Sequence, residues 1–253
     1  MRTNTTKAKL KAGETVLGSF VRTPDPSIIE FLGYQGWDFL TIDAEHGTID
    51  PQQCEQMVRA AELTGVTPLV RVTTNQPPIL LRFLDTGAQG VHVPWVNTQE
   101  QAEQALQSIK YQPRGIRGLA GVRAMTYGQT MNYAEYVEKA NAETLTVIQV
   151  ETAEAVNNVE AILAVQDIDV LFVGRTDLSH SLGVPGQVNH PTVEKAVQRV
   201  ADALVNSDVA LGMVVGNSDQ AREWRDRGAR YIITGLEAVL GPACRSYLAS
   251  VRE

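Results

Sequence analysis

The chain has 253 residues, 43% of them hydrophobic and 20% charged, enough to bury a large core and close to the usual size of an eight-fold β/α barrel. A formal net charge of −7 excludes broad nucleic-acid binding, which needs a basic face against phosphate. No apolar run is long enough to cross a bilayer, and Cys54 and Cys244 are too few for a disulfide framework or a thiolate zinc site, so a cytoplasmic protein is expected.

In chain order, β-rich runs fall at residues 15–20, 37–42, 67–72, 90–93, 145–150, 169–173, 209–214 and 230–234. Amphipathic stretches lie between them, with the clearest helical patterns over 51–63, 98–110, 153–165, 191–205 and 219–227. A last helix is expected over 235–251. The strings Val147, Ile148, Val150 and Val170, Leu171, Phe172, Val173 are nearly continuous in apolar residues, as parallel strands buried on both faces are. Eight such units predict one (β/α)8 TIM barrel over residues 1–253. The other arrangement of alternating units is an open doubly wound sheet, but no G-x-G-x-x-G follows the first run. One long irregular connection, 111–129, carries Pro113, Gly115, Gly118, Gly121 and Gly128, the composition of a functional loop.

In a barrel of this kind, chemistry sits where the strands end. Those ends carry Asp43, Glu45 and His46, then Arg71, then Gln149 and Glu151, then Asp177. Glu151 and Asp177 offer the hard oxygen donors that Mg²⁺ or Mn²⁺ prefers, although both also precede helices, where acids serve as caps. His46 lies three residues after Asp43, so a carboxylate can orient its ring as a general base; a loop carbonyl could equally satisfy it. Arg71 suits a carboxylate or a developing enolate oxygen, or else a rim salt bridge to Glu45. Gly174, Arg175 and Thr176 turn a strand into a helix whose free N–H groups could bind an anion. His92, inside a strand, and His180 and His190, near helix starts, read as structural or exposed. Lys7, Lys9, Lys11, Lys110, Lys139 and Lys195 all miss the strands, which argues against an imine-forming aldolase.

The stretches LKAGETVLGSF, DFLTIDAEHGTID, PLVRV, LLRFLDTGAQGVHVPWV, YQPRGIRGLAG, TVIQVETAEAVNNVEAIL and DVLFVGRTDLSHSLG, with NHP after them, resemble the HpcH/HpaI family of metal-dependent pyruvate aldolases. The resemblance implies a class II aldolase that cleaves or forms 4-hydroxy-2-oxo acids through a pyruvate enolate, releasing pyruvate and an aldehyde. It places one divalent metal ion (Mg²⁺, Mn²⁺ or Co²⁺) on Glu151 and Asp177, and a general-base dyad on His46 and Asp43. It also places the enolate-stabilising arginine on Arg71, a pyruvate-side glutamine on Gln149, and the carboxylate-binding turn on Gly174, Arg175 and Thr176. Asp85 matches a position that approaches a neighbouring subunit's site, and a homo-oligomer, a hexamer in relatives, is expected. The apolar final helix, with Leu240, Tyr247, Leu248 and Val251, packs either across such a contact or on its own barrel. The chain departs from the pattern at Ala44, at GMVVGN, and at Gly-Arg-Thr-Asp, where a proline is usual. Arg175 is thereby expected to set a cation beside the carboxylate pocket. The alternatives are a citrate-lyase-like acyl-CoA lyase or hydrolase, which a basic nucleotide cleft would favour, and a catalytically silent 2-oxo-acid-binding barrel.

Overall fold

The computed structural model describes residues 1–252. Its strands are β1 (Val16–Val21), β2 (Phe39–Asp43), β3 (Thr67–Arg71), β4 (Gly90–Val93), β5 (Leu145–Val150), β6 (Val170–Val173), β7 (Ala210–Val215) and β8 (Tyr231–Gly235). All neighbours pair in parallel, and β8 returns to β1, closing the barrel. The helices are α1 (Thr5–Lys11), α2 (Pro26–Gly33), α3 (Pro51–Thr64), α4 (Pro77–Asp85), α5 (Gln99–Ile109) and α6 (Tyr133–Glu143). They continue as α7 (Ala153–Asn157), α8 (Val159–Leu163), α9 (Arg175–Ser181), α10 (Pro191–Ala203), α11 (Ser218–Asp226) and α12 (Leu236–Arg252).

The expected strands are all present, displaced by a residue or two where apolar runs extend past the ladder. The expected helix over 153–165 is two short helices, because Asn158 takes φ −97° and ψ 11° between α7 and α8. Proline at the first turn and a polar side chain on an early N–H start several helices; in α3, Asp50 and Gln53 form a full capping box. Within 111–129, Arg123–Gly128 forms a 3₁₀ turn with Thr126 and Tyr127 at positive φ.

Two cores result from the alternation of side chains across each strand. Inward residues such as Val16, Phe39, Leu69, Val147, Phe172 and Tyr231 fill the barrel, and outward ones meet the helices. Phe39 stacks on Tyr231 at 4.3 Å between ring centroids, and only a glycine at position 18 leaves the Phe39 ring its space. Helix α1, which no long-period pattern announces, closes the N-terminal end. Its Lys7 Nζ donates to the Thr144 carbonyl and to Asp169, each at 2.9 Å. That plug leaves the C-terminal strand ends as the open face.

Helix α12 covers little of its own barrel. Leu236 is its one buried residue, whereas Val239, Leu240, Tyr247, Leu248 and Val251 are exposed. An apolar cavity of about 390 Å³ lies between the barrel and the start of α12, lined by Leu17, Trp37, Ala221 and Ile232 and by Val239 and Pro242 of α12 itself.

Candidate active site

At the open face the apolar strands end in charge. Asp43 closes β2 and is fully buried, and Arg71 closes β3 opposite it in the ladder. The guanidinium grips Asp43 with two bonds, Nε to Oδ1 at 3.0 Å and Nη2 to Oδ2 at 2.6 Å. Arg71 Nε also lies 3.3 Å from Glu45 Oε2, and the guanidinium carbon sits 4.2 Å from the centre of the Phe20 ring. The rim salt bridge to Glu45 is therefore present, and the two-bond grip on Asp43 fixes the guanidinium beside it.

The expected dyad is arranged differently. Asp43 accepts from the backbone N–H of His46 at 3.3 Å, while its carboxylate is committed to Arg71. The acid nearest the His46 ring is Glu45, with Oε2 3.8 Å from Nε2, and the imidazole is 54% exposed. A buried carboxylate pairs with a permanent cation before it pairs with a ring that solvent can satisfy. Glu45, not Asp43, is thus the acid nearest the His46 ring, at a distance beyond a hydrogen bond.

Glu151 follows β5 and is buried. Its Oε1 accepts from the Trp95 backbone N–H at 2.7 Å and its Oε2 from Gln149 Nε2. Trp95 reaches that position at φ 57°, a left-handed conformation uncommon for an aromatic residue. Gly174 makes room on the other side. A Cβ there would lie 3.0 Å from Glu151 Cβ and 3.1 Å from Gln149 Nε2 and Glu151 Oε2. Asp177 is half-buried in the first turn of α9 and, among the described residues, its side chain has no hydrogen bond. Gly174 caps α9 without a side-chain bond, so the first-turn N–H groups of Arg175 and Thr176 remain available.

Burial pushes the Glu45 carboxyl up to about 7; Arg71 opposes that shift, and Asp43 and Asp177 add to it. Burial likewise pushes Glu151 up to about 7, against the bonds from Gln149 and Trp95, with Glu45 and Asp177 adding like charge.

Two expected residues lie elsewhere. The Arg175 side chain turns away from the mouth, and its Nη2 donates to the Val188 carbonyl, Asn189 Oδ1 at 2.9 Å and Glu194 Oε1. It therefore adds no cation to the carboxylate pocket, because Glu194 on α10 offers a charge partner and Trp224 a ring face, 5.6 Å away. Asp85 sits at the last turn of α4, at the end of the barrel opposite the mouth, where it pairs with Arg117 at 2.8 Å. Glu45 and Trp95 are the residues that sequence reasoning passed over as site components. Glu45 was legible only as a partner for Arg71, and the amide role of Trp95 depends on a backbone angle.

Comparison with known proteins places this architecture. Residues 17–240 match the family described as HpcH/HpaI aldolase/citrate lyase. A 5-keto-4-deoxy-D-glucarate aldolase from Shigella boydii serotype 18 is 34% identical over 235 residues, covering 92% of this chain and 90% of the relative. An HpcH/HpaI aldolase/citrate lyase family protein from Burkholderia cenocepacia J2315 superposes with a TM-score of 0.94 at 35% identity, covering 99% of this chain and 100% of the other. An HpcH/HpaI aldolase from Desulfitobacterium hafniense DCB-2 gives 0.90 at 30% identity, covering 98% and 96%.

Proposed function

We infer the reaction from one premise: the chain belongs to the HpcH/HpaI aldolase/citrate lyase family and is a carbon–carbon lyase. We propose a class II aldolase that cleaves or forms 4-hydroxy-2-oxo acids, with pyruvate and an aldehyde as its two halves. The observation that carries this reading is the buried Glu151, held by the Trp95 N–H and Gln149 beside the Gly174 turn, at the same mouth as an Arg71 locked in place by Asp43.

A divalent cation fits that corner. Glu151 and Asp177 would hold it, as hard carboxylate donors of the kind Mg²⁺, Mn²⁺ or Co²⁺ accepts. Glu45 Oε2 is buried there without a hydrogen bond, and a side chain at position 174 would fill the cradle that Gly174 leaves beside Glu151. No group of three or more candidate ligands is assembled among the described residues; a site on Glu151 and Asp177 would leave its other positions to substrate oxygens and water. When bound, the cation supplies Lewis acidity toward the carboxylate and keto oxygens of a 2-oxo acid.

The chain's own residues do the rest. The first-turn N–H groups after Gly174 face the carboxylate end, and Gln149 flanks it. Arg71 stabilises the charge that builds on the keto oxygen as the C3–C4 bond breaks. His46, with Glu45 as the acid nearest its ring, takes the proton of the 4-hydroxyl in cleavage and returns it to the alkoxide in synthesis. The lysines lie outside the strands, which supports an enolate route over an imine. An acyl-CoA reading is less well supported, because Arg175 faces Glu194 and Arg22 lies 3.6 Å from both Asp43 and Glu237. A screen of 4-hydroxy-2-oxo acids for pyruvate release, with Mn²⁺ present, tests the reading. Wild type should release pyruvate from at least one and Glu151→Ala from none. Silence from wild type on all of them, with no exchange of pyruvate methyl protons, would refute it.

The single barrel domain is proposed to work in a homo-oligomer that exchanges α12 between copies. The exposed apolar face of α12 and the apolar cavity between β8 and β1 are complementary halves of one missing contact. Asp85, remote from its own mouth, fits a place beside a neighbour's. Tyr247→Glu with Leu248→Glu should reduce the assembly mass measured by light scattering; an unchanged mass would count against helix exchange.

A further inference from the structure

The floor of the mouth holds a side chain that the proposed chemistry does not use. His92 on β4 is fully buried and pairs with Arg71 in the ladder. Its ring meets Phe172 edge-on at 4.6 Å and lies 5.8 Å from Phe20. Leucine or phenylalanine would fill such an aromatic pocket with no polar atom to satisfy, so packing alone does not account for a histidine.

Neither nitrogen of His92 has a hydrogen-bond partner, and Gln149 Oε1 also has none. His92 and Gln149 stand on the paired strands β4 and β5, His92 opposite Val147 and Gln149 two residues further on, and the amide favours a proton on the imidazole. Burial, then the charge of Arg71, hold the ring's pKa well below its usual value, so the imidazole is neutral, with one N–H to give. Gln149 has already committed Nε2 to Glu151, which leaves Oε1 able only to accept. Two buried groups of matched polarity on neighbouring strands, each with an unpartnered polar atom, are the two halves of a bond that a small shift completes.

We propose that His92 is a positioning residue whose ring N–H donates to Gln149 Oε1 when the site is loaded, holding the amide so that Nε2 faces Glu151 and the bound 2-oxo acid. The inference rests on the aldolase reading of the site. It makes a line of support, His92 to Gln149 to Glu151, on one side of that carboxylate, with the Trp95 N–H on the other. Support of this kind fixes a ligand's direction without touching the metal.

The test compares His92→Leu, which keeps the bulk and removes the donor, with His92→Gln, which keeps an N–H. Calorimetry measures Mn²⁺ binding, then pyruvate binding to the Mn²⁺-loaded protein, with melting temperature as the measure of packing. His92→Leu should weaken both affinities by about tenfold, in the range for loss of an outer-shell partner, with an unchanged or higher melting temperature. His92→Gln should recover most of that loss. Wild-type affinities in His92→Leu would overturn the proposal, as would equal loss in both variants with lowered melting temperatures, which would mark a packing role. Failure of wild type itself to bind Mn²⁺ would instead overturn the aldolase site and this inference together.

Discussion

Glu151→Gln is expected to lower metal-supported turnover by about 10³-fold, because a loss of several kcal/mol of charge stabilisation in the transition state is a factor of that size. Glutamine keeps the volume and an oxygen for the Trp95 N–H, so the barrel should fold and melt close to wild type. What disappears is the negative charge, and with it the better-buried half of the carboxylate pair. Stopped activity and calorimetric loss of Mn²⁺ binding should occur together. Treatment of wild type with EDTA should give the same silent state, reversed by Mn²⁺, Co²⁺ or Mg²⁺. Retention of metal-dependent turnover within tenfold of wild type by Glu151→Gln would remove Glu151 from the site.

The second large effect is expected at Arg71, where stability and chemistry can be separated. Arg71→Lys keeps the charge but cannot reproduce the two-bond grip on Asp43 together with the approach to Glu45, and it should lower kcat by about 10²-fold or more. Arg71→Met leaves the buried Asp43 with the half-exposed Arg22, 3.6 Å away, as its one cation, and the loss should approach that of breaking a buried pair, about 3–5 kcal/mol. Adding Asp43→Asn should restore much of that stability, since no buried charge then stands alone, but should not restore turnover. Denaturant unfolding and pyruvate release measure the two quantities. Equal recovery of both in the double variant would mean that Arg71 is only structural.

These expectations draw on features of different legibility. The strands were readable because burial on both faces demands nearly unbroken apolar strings, as in Val170 to Val173. The polar ends were readable because a barrel mouth is where such strings must stop. Helix α1 was not, since a seven-residue basic segment has no lasting period; contacts with Thr144, Asp169 and Thr67 make it a plug. The break at Asn158 was hidden for a related reason, as the apolar spacing on either side of it still fits one helix.

The site divides in the same way. Which residues stand at the mouth follows from local sequence, because an apolar run that stops in an acid, a histidine or an arginine marks the end of its strand. The sequence alone thus determined the barrel, its polar rim and the two carboxylates proposed to hold a metal. Which partner each rim residue takes was decided by the tertiary structure. Asp43 turned to Arg71, Glu45 came nearest the His46 ring, Arg175 turned outward to Glu194, Trp95 lent its amide to Glu151, and α12 kept most of its apolar residues exposed. The reason is that pairing energy depends on the distance and burial of groups contributed by different strands, and no single segment of chain contains both partners.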